Sequence, residues 1–230
     1  MVPLPQPPSA VYAAAAETLA DIVVRAIRGA DDAFRLSEVL TAGDPATGLA
    51  AVRVLGPDAL APYLIIGYPF ATEDAEVVTT SLAAFPLDSD GEAPVRRFRD
   101  WATRALLARL TDQPAPVLPE TPACGPKAHW LVFVGELSGL APLVAPGLDS
   151  PIHTAARTRA LDVARGVSRS MLRRDYLTAV RLSRWLATGP CVPGVELGGV
   201  LTHVELFGDD SPRLRLEVVL ARATAQWVDQ

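Results

Sequence analysis

Lysine is almost missing from this chain. Lys127 stands alone among 21 basic residues, and the rest are arginine. Arginine in that role, beside heavy use of alanine, valine and proline, is the mark of GC-rich codon usage, and a bacterial source is expected. Arginine number therefore says little here, and arginine spacing says more. Cysteine is as scarce: Cys124 and Cys191 are the only two in 230 residues. Two cysteines make no disulfide framework, so a reducing cytoplasm is the expected compartment. No unbroken apolar run reaches the ~18–20 residues that cross a bilayer. The opening Met-Val-Pro-Leu-Pro-Gln-Pro-Pro lacks the basic n-region and apolar core of a signal peptide. Residues 1–8 read as an extended tail, and no membrane partner is expected. Positive charge is also short. The formal net charge is −5 at pH 7, which argues against nucleic-acid binding, since that leans on a basic footprint.

The motifs of common site chemistry are missing too. No two histidines stand at the i, i+4 spacing of a helical metal site, and no cysteines cluster. Gly194 to Gly199 lacks the order of a phosphate-cradling loop. Gly135-Glu136-Leu137-Ser138-Gly139 places its serine one position late for a nucleophile elbow. Neither a metal nor a cofactor is expected.

What is present suffices for a sizeable core: half the residues are hydrophobic and a fifth charged. Val11, Ala15, Leu19, Ile22, Val23 and Ile27 recur at helical spacing over Ser9–Arg28, with Gly29 as the stop. A shorter helix is expected over Asp32–Thr41. Runs at Ala51–Leu55, Tyr63–Tyr68, Glu76–Leu82 and His129–Val134 read as strands. Pro94 begins a helix to Leu110. Five prolines from Pro114 to Pro126 make residues 112–127 a loop. Thr154–Leu172 reads as a helix, and Asp175 caps another through Ala187. Val200, Thr202, Val204 and Leu206 alternate with Leu201, His203, Glu205 and Phe207, and after Gly208-Asp209-Asp210 Leu214, Leu216, Val218 and Leu220 alternate with Arg213, Arg215 and Glu217. That pattern predicts a terminal hairpin. The order lacks regular βαβ alternation. The expected fold is a single α+β domain over residues 9–230, a mostly antiparallel sheet with helices packed on one face.

The strongest asymmetry is electrical. From Pro151 to Ala187 eight arginines face two aspartates, a net charge of +6, so the remainder carries −11. Arg165, Arg169 and Arg173 fall at i, i+4 and i+8, opposite the apolar face of their helix. Such a stripe binds phosphate, carboxylate or an acidic protein through its forked donors, or is simply a solvated face. His203 and Glu205, two apart on an expected strand, would share a face, with Arg215 or Glu217 across from them. A carboxylate beside an imidazole suits proton transfer. His153, at the start of the basic helix, could serve an anion site where backbone amides are free. Two readings follow. One is a cytoplasmic enzyme acting on a small anionic metabolite by metal-free acid–base chemistry, such as a cyclisation or condensation in specialised metabolism. His203 and Glu205 would be catalytic, and Arg165, Arg169, Arg173, Arg215 and His153 would bind ligand. The other is a non-catalytic binding or assembly protein docking an acidic partner through the arginine-rich helix. A homodimer fits either. An enclosed pocket with convergent polar groups would favour the first, and an open apolar patch beside the stripe the second.

Overall fold

A computed structural model describes residues 9–41, 43–87, 94–120 and 128–228. The regular structure among them is helical: α1 (Ser9–Ile27), α2 (Glu38–Thr41), α3 (Pro45–Leu55), α4 (Ala61–Ile65), α5 (Thr72–Ala84), α6 (Pro94–Leu110), α7 (Trp130–Gly139), α8 (Pro151–Thr158), α9 (Ala160–Leu172), α10 (Tyr176–Ala187), α11 (Leu197–Phe207) and α12 (Pro212–Val228). The expected α+β fold with an antiparallel sheet is therefore wrong. Among the described residues there is no strand.

Helix starts explain much of this. Asp44 accepts a hydrogen bond from the Thr47 amide, and Pro45 occupies the first turn of α3. An N-cap followed by proline launches a helix, and here it overrides the apolar run Ala51–Leu55. The Leu214 amide donates to Ser211 Oγ just ahead of Pro212, the same device at the start of α12. The expected hairpin fails for a second reason. Leu216 and Leu220 face one apolar cluster, with α1 and α3, while Leu214, Val218 and Ala221 face another, with α10 and α11. Residues two apart on a helix lie about 200° apart, so a helix sandwiched between two cores mimics strand alternation. Val204 and Val218 are buried as the alternation implied, whereas Leu206, placed on the same face, is exposed.

Two helices also differ from expectation. Over Asp32–Thr41 only α2 forms. The Leu36 amide donates to Tyr63 Oη and the Ser37 amide to Asp74 Oδ1, so side chains replace the helical acceptors. The expected Thr154–Leu172 helix is broken at Arg159, which ends α8 and precedes α9. The expected tail (1–8) and the polar loop at Asp88–Glu92 lie outside the described residues. So does the second half of the proline-rich loop, while residues 113–120 are irregular. The helical stretch Pro45–Ile65 has the length and hydropathy for a bilayer crossing, yet 78% of its apolar window is buried inside the protein.

The second and third cores meet at α10. Its Trp185 packs with Phe133, Val163 and Val167 of the second cluster, and its Val180 belongs to the third. Between them Arg184 is wholly buried. Its Nη1 and Nη2 donate to Asp58 at 3.1 and 2.8 Å, and Nη1 also donates to Glu217 at 2.8 Å. Nη2 further donates to the Val144 carbonyl at 3.1 Å. Arg181 Nε reaches the other Glu217 oxygen at 2.8 Å. Burial by itself would make both charges harder to hold. The two carboxylates nonetheless keep the Arg184 guanidinium above its usual pKa, and Arg184 with Arg181 keeps Glu217 below the usual carboxylate range.

Replacing Arg184 with Met would leave two buried carboxylates without their common partner. Arg184→Met should lower unfolding free energy by about 3–5 kcal/mol, measured by urea denaturation. A loss below about 1 kcal/mol would show that the network contributes no more than a surface pair.

Candidate functional site

The basic segment divides once it is folded. Arg181 and Arg184 turn inward. Arg157 pairs with Asp149 at 3.3 Å. Arg159 pairs with Asp162 at 2.8 Å and lies 4.0 Å over the Phe133 ring. Arg165 reaches the other Asp162 oxygen at 3.1 Å. Arg169, Arg173 and Arg174 have no ion-pair partner among the described residues, and all three are exposed. Arg174 adopts φ 58°, ending α9 in the left-handed conformation usually held by glycine.

Helix α9 is two-faced. Val163, Gly166, Val167 and Ser170 are buried. A Cβ at Gly166 would sit 2.8 Å from Leu182 of α10 and 3.1 Å from Val134 of α7, so glycine permits this close approach. The opposite face looks into an open groove of about 600 Å³. Its floor carries two rows. Leu161, Ser168 and Leu172 form one, above the buried Ala164, and Arg165, Arg169 and Arg173 the other. Leu161 is 57% and Leu172 87% exposed. Trp130 and the Val192–Val195 turn supply the far wall. The expected stripe is thus on one exposed helix face, and the leucine row beside it escaped the sequence reading. Its signal was there: Leu161 and Leu172 fall off the buried stripe.

The other expected groups do not assemble. His203 and Glu205 share α11, not a strand, so the common face assumed for them is lost. The His203 ring stacks at 4.6 Å on Phe207 and lies 5.9 Å from Tyr176. Glu205 instead accepts from Arg222 at 2.6 Å. Arg215 pairs with Asp21 at 2.9 Å and Asp210 at 3.2 Å. It and Glu205 do line one cavity of about 380 Å³, without His203.

His153 is not at an anion site. It is buried at 3% exposure. Its Nδ1 lies 2.9 Å from Ser150 Oγ and its Nε2 3.2 Å from the Leu143 carbonyl. A carbonyl only accepts, so Nε2 carries the proton and Nδ1 accepts from the serine. Asp149 lies 4.0 Å from the same Nδ1. A catalytic serine and its orienting carboxylate sit on opposite ring nitrogens, and here both approach one. The ring packs edge-on to Trp185 at 5.0 Å, as a core plug.

A second basic cavity, of about 320 Å³, is lined by Arg53, Arg96 and Arg99 with Thr103 and Phe85. Arg53 is held by Asp100, and Arg99 donates to the Val54 carbonyl at 2.7 Å. Burial pushes the Arg99 guanidinium below its usual pKa. The titratable lining residues are all arginine, which cannot serve as a general base. Among the described residues no group of three or more metal-ligating side chains converges.

Fold and groove together define an all-helical protein with an amphipathic surface groove. No family model matches the chain, and no curated protein or solved structure shows significant similarity to it.

Burial pushes the His153 imidazole down to about 4, with Asp149 and the Leu143 carbonyl offsetting only part of the effect. The unfolded chain, with its ordinary value near 6.5, binds the proton first as pH falls. The stabilisation is complete above about pH 6.5 and is lost toward pH 4. The stability of the native protein relative to His153→Gln should therefore shrink by about 3 kcal/mol across that window. A difference independent of pH would refute the buried neutral imidazole.

Proposed function

We propose that this protein is a non-catalytic binding or assembly protein that docks an acidic partner through α9. One observation carries the reading: three arginines and two exposed leucines lie in parallel rows of the same open groove. Exposed apolar surface beside uncompensated charge is the composition of a recognition surface. Guanidinium forks match the planar oxygen pairs of carboxylates, and the exposed leucines beside them suit a protein surface better than a free anion. The acid–base enzyme reading lacks a matching assembly, because His203 and Glu205 engage other partners and His153 is sealed in the core.

A photoreactive residue in place of Ser168 should form an adduct in cells with a protein carrying an acidic segment. The replacements Arg165→Glu, Arg169→Glu and Arg173→Glu, made together, should abolish the adduct while leaving far-UV circular dichroism unchanged. An adduct that survives the triple replacement, or no adduct at all, overturns the docking reading. The cavity lined by Arg53, Arg96 and Arg99 supports a second reading, binding of a small anionic metabolite. A small carboxylate that raises Tm, with a smaller rise in Arg96→Gln, would establish it.

A further inference from the structure

We infer that the occupant of the α9 groove is an acidic amphipathic α-helix of a partner protein, an inference that rests on the docking reading. Three features on the groove floor point to that geometry. The first is length. The exposed anchors Leu161 and Leu172 stand about 16 Å apart along the axis, the rise of roughly three helical turns. The second is spacing. Arg165, Arg169 and Arg173 recur about every 6 Å along the axis, the interval at which a second helix presents side chains at i, i+4 and i+8. An extended strand presents same-face side chains about every 6.6 Å, but its backbone then needs partners. The third feature is the lack, among the described residues, of a strand edge that could supply a ladder of such partners. The floor is an α-helix, whose own amides and carbonyls are paired internally. In the opposite wall the Val195 amide already donates to the Val192 carbonyl, and Pro193 has no amide to offer. A helix arrives with its backbone satisfied and needs only side-chain contacts.

Charge selects the sign of the occupant. Arg169 and Arg173 have no ion-pair partner among the described residues, while Arg165 shares Asp162 with Arg159. Positive charge therefore strengthens toward the C-terminal end of α9. The apolar anchors, Leu161 and Leu172, stand at both ends of the neighbouring row. The complementary helix carries one apolar stripe and, beside it, a row of Asp or Glu at i, i+4 and i+8. A basic or uniformly apolar helix would leave the guanidinium row without counter-charges.

The test uses the full chain and a synthetic peptide of about 16 residues with one leucine stripe flanked by a row of glutamates. Its comparison is an isomer of identical composition, in which a proline is moved from the terminus to the centre. Binding is measured by fluorescence anisotropy at low and moderate salt. The helical peptide should bind, weaken with salt, and exceed its isomer by roughly a hundredfold, the cost of an interior proline. Arg169→Glu with Arg173→Glu should remove that binding. Equal binding of both isomers, still lost in the double replacement, would keep acidic docking and overturn the helical occupant. Binding of neither peptide would overturn the helical occupant, and the photoadduct at Ser168 would then decide separately whether acidic docking survives. A native chain that is dimeric in sedimentation, and is made monomeric by Arg169→Glu, would show a second copy in the groove and overturn the proposal as well.

Discussion

Arg184 is the constraint on which the rest of the structure depends. Its guanidinium is buried completely, and four of its donor contacts reach residues distant in sequence: Asp58, Glu217 and the Val144 carbonyl. A buried cation tolerates little displacement, because each lost hydrogen bond leaves a polar group without water. The network therefore sets the depth and rotation of α10 against α12 and the 3₁₀ turn Gly56–Leu60. Hydrophobic contact alone would permit sliding among these helices. Matched charges specify one arrangement, at a desolvation cost offset by the two carboxylates.

The orientation of the groove follows from that placement. Gly166 brings α9 against Leu182 and Val134, so the rotation of α9 is linked to that of α10. With Val163 and Val167 inward, Leu161 and Leu172 have nowhere to go but outward, together with the arginine row. The same basic segment thus does two unlike things. Arg181 and Arg184 hold the interior, where Glu217 accepts from both and Asp58 and the Val144 carbonyl accept from Arg184. Arg165, Arg169 and Arg173 face solvent, where charge is inexpensive and available to a partner.

The misread strands have one physical origin. Apolar periodicity reports how many sides of an element are covered, and it identifies the element type only when one side is covered. Helix α1, with a single dominant buried stripe, was legible. Helix α12 is buried between two clusters and carries Glu217 between them, so its apolar residues alternate as in a strand. Helix α7 buries Phe133, Val134 and Leu137 in a stretch too short to show a helical period. The cap signals Asp44-Pro45 and Ser211-Pro212 were the better guides at those places, because they concern local backbone groups and do not depend on neighbours.

The sequence by itself determined the helix starts at Pro94 and Asp175, the charge asymmetry of residues 151–187, and the single exposed face of Arg165, Arg169 and Arg173. These are local properties, set by backbone chemistry and by the helical repeat. Only the tertiary structure decided that Arg184 is a core residue while Arg169 is a surface one. It also separated His203 from Glu205, sealed His153 beneath Trp185, and opened a groove beside Leu161 and Leu172. The reason is common to all four. Burial and pairing depend on which elements pack together, and residues as far apart as Asp58 and Arg184 carry no sign in their own neighbourhoods that they will meet.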